Sequence, residues 1–147
     1  MSKNGRYAAD RKKVVALTAA TTITAAQCGT IFTLDGGTAS YNVTLPTLAD
    51  AGNGWWCKFV LLANKGTNAQ LIQAASGDED TIIASVFGGL DDNSNADNVL
   101  FDAAADSVRI PASQAKAGDT IEFICLGSKW HAQAFSAGTD VAIDVTT

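Results

Sequence analysis

Apolar residues in this chain recur at every second position in short runs, and glycine, proline or an Asn/Asp cluster cuts each run off. A helix, with its 3.6-residue period, cannot use that pattern, whereas a half-buried strand requires it. In "SYNVTL", Tyr41, Val43 and Leu45 fall on one side, Asn42 and Thr44 on the other, and Pro46 ends the ladder. The same alternation predicts strands near 13–17 and 30–34, a short piece at 21–24, and strands in "WWCKFVLLAN", "AQLIQAA", "TIIASV", "NVLFDA", "DSVRI", "TIEFICLG" and "KWHAQAF". Abundant Thr, Val, Ile, Gly, Asn and Asp argue the same way. With 147 residues, 47% of them hydrophobic, the chain is long enough for one core. The expectation is a single all-β domain over residues 14–147, an antiparallel β-sandwich or jelly-roll-like fold with under about one tenth helix, preceded by an extended arm of residues 1–13.

Two strands carry more apolar residues than one buried face needs. In "TIEFICL", Ile121, Phe123 and Cys125 share one face, while Ile124 and Leu126 occupy the other beside Glu122; "WWCKFVLLA" has the same excess. A solvated antiparallel sheet reads apolar inward and polar outward, so the second face calls for a loop, the arm or another subunit. Trp55, Trp56, Phe59, Phe123, Ile124 and Trp130 are therefore the candidates for a subunit interface, since buried aromatics dominate contact energies.

An internal echo runs through these strands. "VTLP" followed by "GWWCKFVLL" parallels "VRIP" followed by "GDTIEFICL", matching Val43, Leu45, Pro46, Gly54, Phe59, Val60 and Leu62 with Val108, Ile110, Pro111, Gly118, Phe123, Ile124 and Leu126. The prolines end strands and the glycines open tight turns into the most apolar runs. Two equivalent halves that face each other are expected.

Charge is split along the chain. Residues 1–13 hold five bases, Lys3, Arg6, Arg11, Lys12 and Lys13, against Asp10, a net of +4; a total of −5 leaves −9 on residues 14–147. An acidic body makes nucleic acid a poor direct partner, because phosphate binding needs a basic surface. The basic arm reads either as a solvated tail or as a docking arm, and docking predicts that removing residues 2–13 weakens attachment by at least about tenfold, 1.4 kcal/mol. No apolar run approaches the roughly 20 residues that cross a bilayer, so no membrane span is expected. The first residues lack a signal-peptide pattern, which predicts cytoplasmic synthesis. Cys28, Cys57 and Cys125 are odd in number and form no C-x-x-C pair, so packed or half-exposed thiols are expected rather than a disulfide framework or zinc site.

Motifs for chemistry are absent. The one histidine, His131, alternates with Trp130 and Ala132 on a strand and has no sequence partner for acid–base or nucleophilic work. Neither a P-loop, a G-x-S-x-G elbow, an H-E-x-x-H helix nor a dinucleotide fingerprint occurs. "DDNSNADNVLFD" places Asp91, Asn93, Asn95, Asp97 and Asp102 at calcium-loop spacing, yet Ala96 stands where that loop needs glycine and Asp102 where it needs glutamate. A polar surface loop is the better reading. No enzyme activity, cofactor or metal is expected. Trp55, Trp56 and Trp130 would suit a stacking platform for sugars, but they sit inside strand patterns, which favours packing.

"ITAAQCGTIFTL", "YNVTLP", "GWWCKFVL" and "AGDTIEFICLGSKWHAQAFSAG" together resemble the small β-rich virion proteins of tailed bacteriophages. The resemblance covers about residues 21–136 and is shared by head decoration (cement) proteins and tail-fibre modules; the terminal turn, Leu126 to Trp130, departs from the pattern. It implies a structural virion protein that decorates and stabilises a capsid by bridging neighbouring major capsid protein subunits. Such a protein would sit on the outer capsid surface after synthesis in the host cytoplasm, as a homo-dimer or homo-trimer, its basic arm lying on the shell. The alternatives are a tail- or head-fibre module binding a host receptor or glycan, and a small secreted lectin.

Overall fold

Twelve strands, β1 to β12, realise the alternation in a computed structural model that describes residues 11–35, 39–88, 99–137 and 144–146. Lys3 and Arg6 lie outside the described residues, as do Asp91, Asn93, Asn95 and Asp97 of the calcium-like loop. The larger sheet has seven strands in the order β1 (Val14–Leu17), β3 (Thr30–Leu34), β5 (Trp56–Leu61), β10 (Thr120–Leu126), β11 (Lys129–Phe135), β7 (Ile82–Phe87) and β8 (Val99–Ala105). The smaller has five, in the order β12 (Asp144–Thr146), β9 (Ser107–Ile110), β6 (Gln70–Gln73), β4 (Tyr41–Thr44) and β2 (Thr21–Thr22). Among the described residues helix is confined to a 3-10 turn at Ala25–Gln27 and one α-turn at Leu48–Ala51, 6% against 49% strand, an all-β sandwich-like domain.

Pairing within the sheets differs from the antiparallel, jelly-roll-like expectation. β1 with β3, β3 with β5, β2 with β4, β4 with β6, and β11 with β7 are parallel, so both sheets are mixed. The reason is the path of the chain. Its first six strands alternate between the two sheets, and each visit to the opposite sheet supplies the crossover that a parallel pair needs in place of a tight hairpin.

The core lies between the sheets. Phe32 stacks on Phe59 at 5.4 Å, Phe59 meets Phe123 edge-on at 5.9 Å, and Trp55 meets Trp130 edge-on at 5.4 Å. Leu34, Leu61, Ile82, Ile121 and Val86 complete the larger sheet's inner layer, and Val43, Ile72 and Val108 come from the smaller sheet. Each such side chain taken fully out of water contributes about 1.5 to 3 kcal/mol.

The echo in the sequence is a local two-fold between β5 and β10, and the matched strands lie side by side in one sheet rather than facing each other as expected. β5 and β10 lie side by side and antiparallel, with Cys57 opposite Phe123, Phe59 opposite Ile121, and Lys58 opposite Glu122 at the centre. Matched hydrogen bonds close both ends: Gly54 N donates to Cys125 O at 2.7 Å and Gly118 N to Leu61 O at 2.8 Å. Leu61 N donates to Asp119 O at 2.9 Å and Cys125 N to Trp55 O at 2.8 Å. Gly54 and Gly118 enter these strands at φ of 88° and 99°, a left-handed conformation that penalises any residue with a Cβ. In the smaller sheet β4 and β9 flank β6, one on each side.

Candidate interaction face

The outer faces of the two sheets have opposite chemistry. On the smaller sheet Asn42, Thr44 and Gln73 point outward and bond to one another, Asn42 Nδ2 to Gln73 Oε1 at 2.9 Å and Gln73 Nε2 to Thr44 Oγ1 at 3.4 Å. Ser107 pairs with Thr146 and Arg109 is exposed nearby. That face is built for water.

The larger sheet is the reverse. Side chains at alternate strand positions share a face, so register places Trp56, Ile124, His131 and Ile83 in one outward row. The next row is Val14, Ile31, Lys58, Glu122, Gln133, Ser85 and Phe101. Beyond it come Thr33, Val60, Thr120, Phe135 and Phe87, the last two stacked at 5.4 Å. The most exposed large hydrophobic side chains among the described residues, Val14, Leu62, Phe101, Leu126 and Phe135, between 44% and 63% exposed, all belong to this face or its continuation. A shallow groove of about 280 Å³ crosses it, lined by Ile83, Ser85, Phe87, Glu122, Ile124 and His131 among others. These apolar side chains are interspersed with Lys58, Glu122, Gln133 and Ser85, and none of the five most exposed lies on the smaller sheet.

The six interface candidates divide sharply. Trp56 and Ile124 are half-buried on the outer face and pair across β5 and β10. Trp55, Phe59, Phe123 and Trp130 are not available to a partner: they are between 0% and 4% exposed and belong to the core of the chain itself. The cause is strand parity, because Trp55 is in phase with Cys57, Phe59 and Leu61, which face the smaller sheet. Trp55 Nε1 is also tied down, donating to Ala25 O at 2.8 Å. Sequence reasoning overlooked Val14, Phe101 and Phe135. The available clue was that Lys58, Glu122 and Gln133 label the outward phase of their strands, and Phe135 shares the phase of Gln133.

Arg11, Lys12 and Lys13, the arm residues within the described part, are exposed at the β1 edge. Lys12 Nζ sits 4.9 Å from the centre of the Trp56 ring, a cation–π contact, and Ile31 N donates to Lys13 O at 2.8 Å. Gly29, at φ 76°, lies beside the same ring, where an added Cβ would meet Trp56 Cζ2 at 3.6 Å. Trp56 is thus held between Lys12 and the turn at Gly29.

Cys28 is exposed while Cys57 and Cys125 are buried, and all three are free thiols. Burial, then Cys28 and Glu122, push the Cys57 thiol up; burial and then Asp78 push Cys125 up, so both stay protonated and inert. Asp102 is spent locally, its Oδ1 accepting from Ala104 N at 2.8 Å. Among the described residues no three His, Cys, Asp or Glu side chains converge as a metal site would require. No family model, curated protein or solved structure matches this chain.

Proposed function

We propose that this protein is a structural virion component that decorates and stabilises a bacteriophage capsid by bridging neighbouring major capsid protein subunits. The observation that carries the reading is the contrast between the sandwich's two outer faces, one hydrogen-bonded and polar, the other bearing the most exposed large apolar side chains among the described residues. Such a face suits the association of copies into the oligomer that a shell-bridging protein forms, and leaves the basic arm for the shell. The resemblance of "YNVTLP", "GWWCKFVL" and "GDTIEFICLGSKW" to small phage virion proteins supplies the kind of assembly. Shell bridging uses many weak contacts at once, so modest individual affinities add up to firm retention. The partners are the major capsid protein and further copies of this chain, and the place is the outer capsid surface.

A fibre module binding a receptor or glycan draws less support. Its aromatic platform needed Trp55 and Trp130, which the core has taken. Mixing the purified protein with undecorated expanded heads tests the reading: copies retained per particle should rise to a saturating number, and heads that retain none would overturn it. The basic arm enters the same assay. Lys12 and Lys13 contact the sheet, so the informative deletion spans residues 2–10, which removes Lys3 and Arg6 and spares those contacts. Retention should weaken by at least about tenfold.

A further inference from the structure

At the centre of the apolar face sits one pair of opposite charges. Lys58 and Glu122 are directly opposed on β5 and β10, and the local two-fold passes between them. Trp56 and Ile124 lie on one side of them, Val60 and Thr120 on the other, and Ile31 and Gln133 flank them along the row. We propose that this face is closed by the same face of a second copy, related by a two-fold axis running parallel to the strands between β5 and β10. That rotation lays β5 of one copy over β10 of the other, so each Lys58 meets the partner's Glu122 and the charge pattern complements itself.

The internal symmetry makes this choice of axis informative. The backbone of β5 and β10 looks nearly the same after a half-turn about the face normal, so at this central pair an axis perpendicular to the strands would stack the two copies comparably well, although β3 runs parallel to β5 and β11 antiparallel to β10. It would, however, set Lys58 on Lys58 and Glu122 on Glu122. The charges therefore reject one of two otherwise similar dimers, which is how specificity is usually built into an apolar contact. Size also fits. Seven strands spaced about 4.8 Å apart and about 20 Å long offer roughly 650 Å² per copy, or about 1,300 Å² in all, inside the range of specific interfaces. The apolar side chains supply the affinity and the charge pair the register.

The inference rests on reading this face as the interaction surface, but not on the capsid as partner. Sedimentation velocity of the full chain at micromolar concentration tests it. The unaltered protein should be a dimer, and Lys58→Glu and Glu122→Lys should each weaken association by about tenfold or more, since like charges then oppose across the interface. An equimolar mixture of the two variants should recover the dimer. In that mixture each reversed charge meets its opposite in the other chain, while within each chain the two side chains remain alike, so recovery reports an intermolecular pair. A monomeric unaltered protein, variants that associate as well as it does, or a mixture that stays dissociated would overturn the proposal. So would a monomer whose Trp56 resists acrylamide quenching, which would place the chain's own residues 1–10 on the face. If a charge reversal unfolds the chain, the neutral Lys58→Gln and Glu122→Gln variants replace it, with a smaller loss and no recovery on mixing expected; unchanged association again refutes. Head retention measured in parallel separates the two readings: dimers that fail to bind heads remove only the capsid partner, and monomers that bind them remove only the dimer.

Discussion

Phe59→Ala probes the division between inner and outer faces. Phe59 is 1% exposed, stacked on Phe32 and edge-on to Phe123, at the junction of the two matched halves. Truncation removes the transfer free energy of a buried phenyl and leaves a cavity between strands that cannot collapse into it, about 3 to 5 kcal/mol. Two lost ring pairs, each about 0.5 to 1.5 kcal/mol beyond area burial, place the variant toward the upper end. Against a typical total of about 5 to 15 kcal/mol, that is a third or more of the stability. Ile124→Ala, one position further along the matched strand but on the outer face, should cost the isolated fold under about 1 kcal/mol. Urea titrations followed by circular dichroism, on protein dilute enough to be monomeric, read both values. A loss below about 1 kcal/mol for Phe59→Ala, or equal losses for the two variants, would refute the assignment of faces.

Tyr41 makes a pH prediction. Its hydroxyl donates to Leu17 O at 2.8 Å, and burial, with Asp35 second, has its pKa pushed up from 10.0 to about 12. Because the folded value is the higher, the neutral phenol's contribution is complete below pH 10 and is lost as pH climbs toward about 12. Tyr41→Phe should cost about 1 kcal/mol at neutral pH and flatten that alkaline loss, and an unchanged alkaline slope in thermal melts counts against it. Gly54→Ala and Gly118→Ala should destabilise alike, by about 1 to 2 kcal/mol each, because both sit at positive φ in equivalent turns; sharply unequal melting shifts would contradict the internal two-fold. One thiol per chain, Cys28, should react with a disulfide reagent in native protein, with Cys57 and Cys125 reacting only on unfolding.

Much of the fold was legible because strand alternation is a local property. Tyr41, Val43 and Leu45 announce a half-buried strand without reference to anything distant, and all three are buried. The match of Phe59 and Gly54 to Phe123 and Gly118 was legible too, since equivalent halves meet equivalent demands. Strand partners were not. Whether β3 pairs with β5 in parallel or turns back as a hairpin depends on which sheet the intervening β4 joins, and a four-residue strand carries no mark of that. The fate of the tryptophans failed for a narrower reason. Trp55 and Trp56 are adjacent, so one points in and the other out, and only counting phase from Lys58 tells which. The apolar face itself emerges only when seven strands from distant parts of the chain are laid side by side.

The central claim, that the protein works through the outer face of its larger sheet, is tested most directly by hydroxyl-radical footprinting of the free and assembled protein. Trp56, Leu126, Phe135 and Phe101 should all lose reactivity on assembly, while Leu71, half-buried on the polar face of the smaller sheet, keeps its own. Unchanged labelling of those four side chains, or protection of Leu71 in their place, would contradict the account.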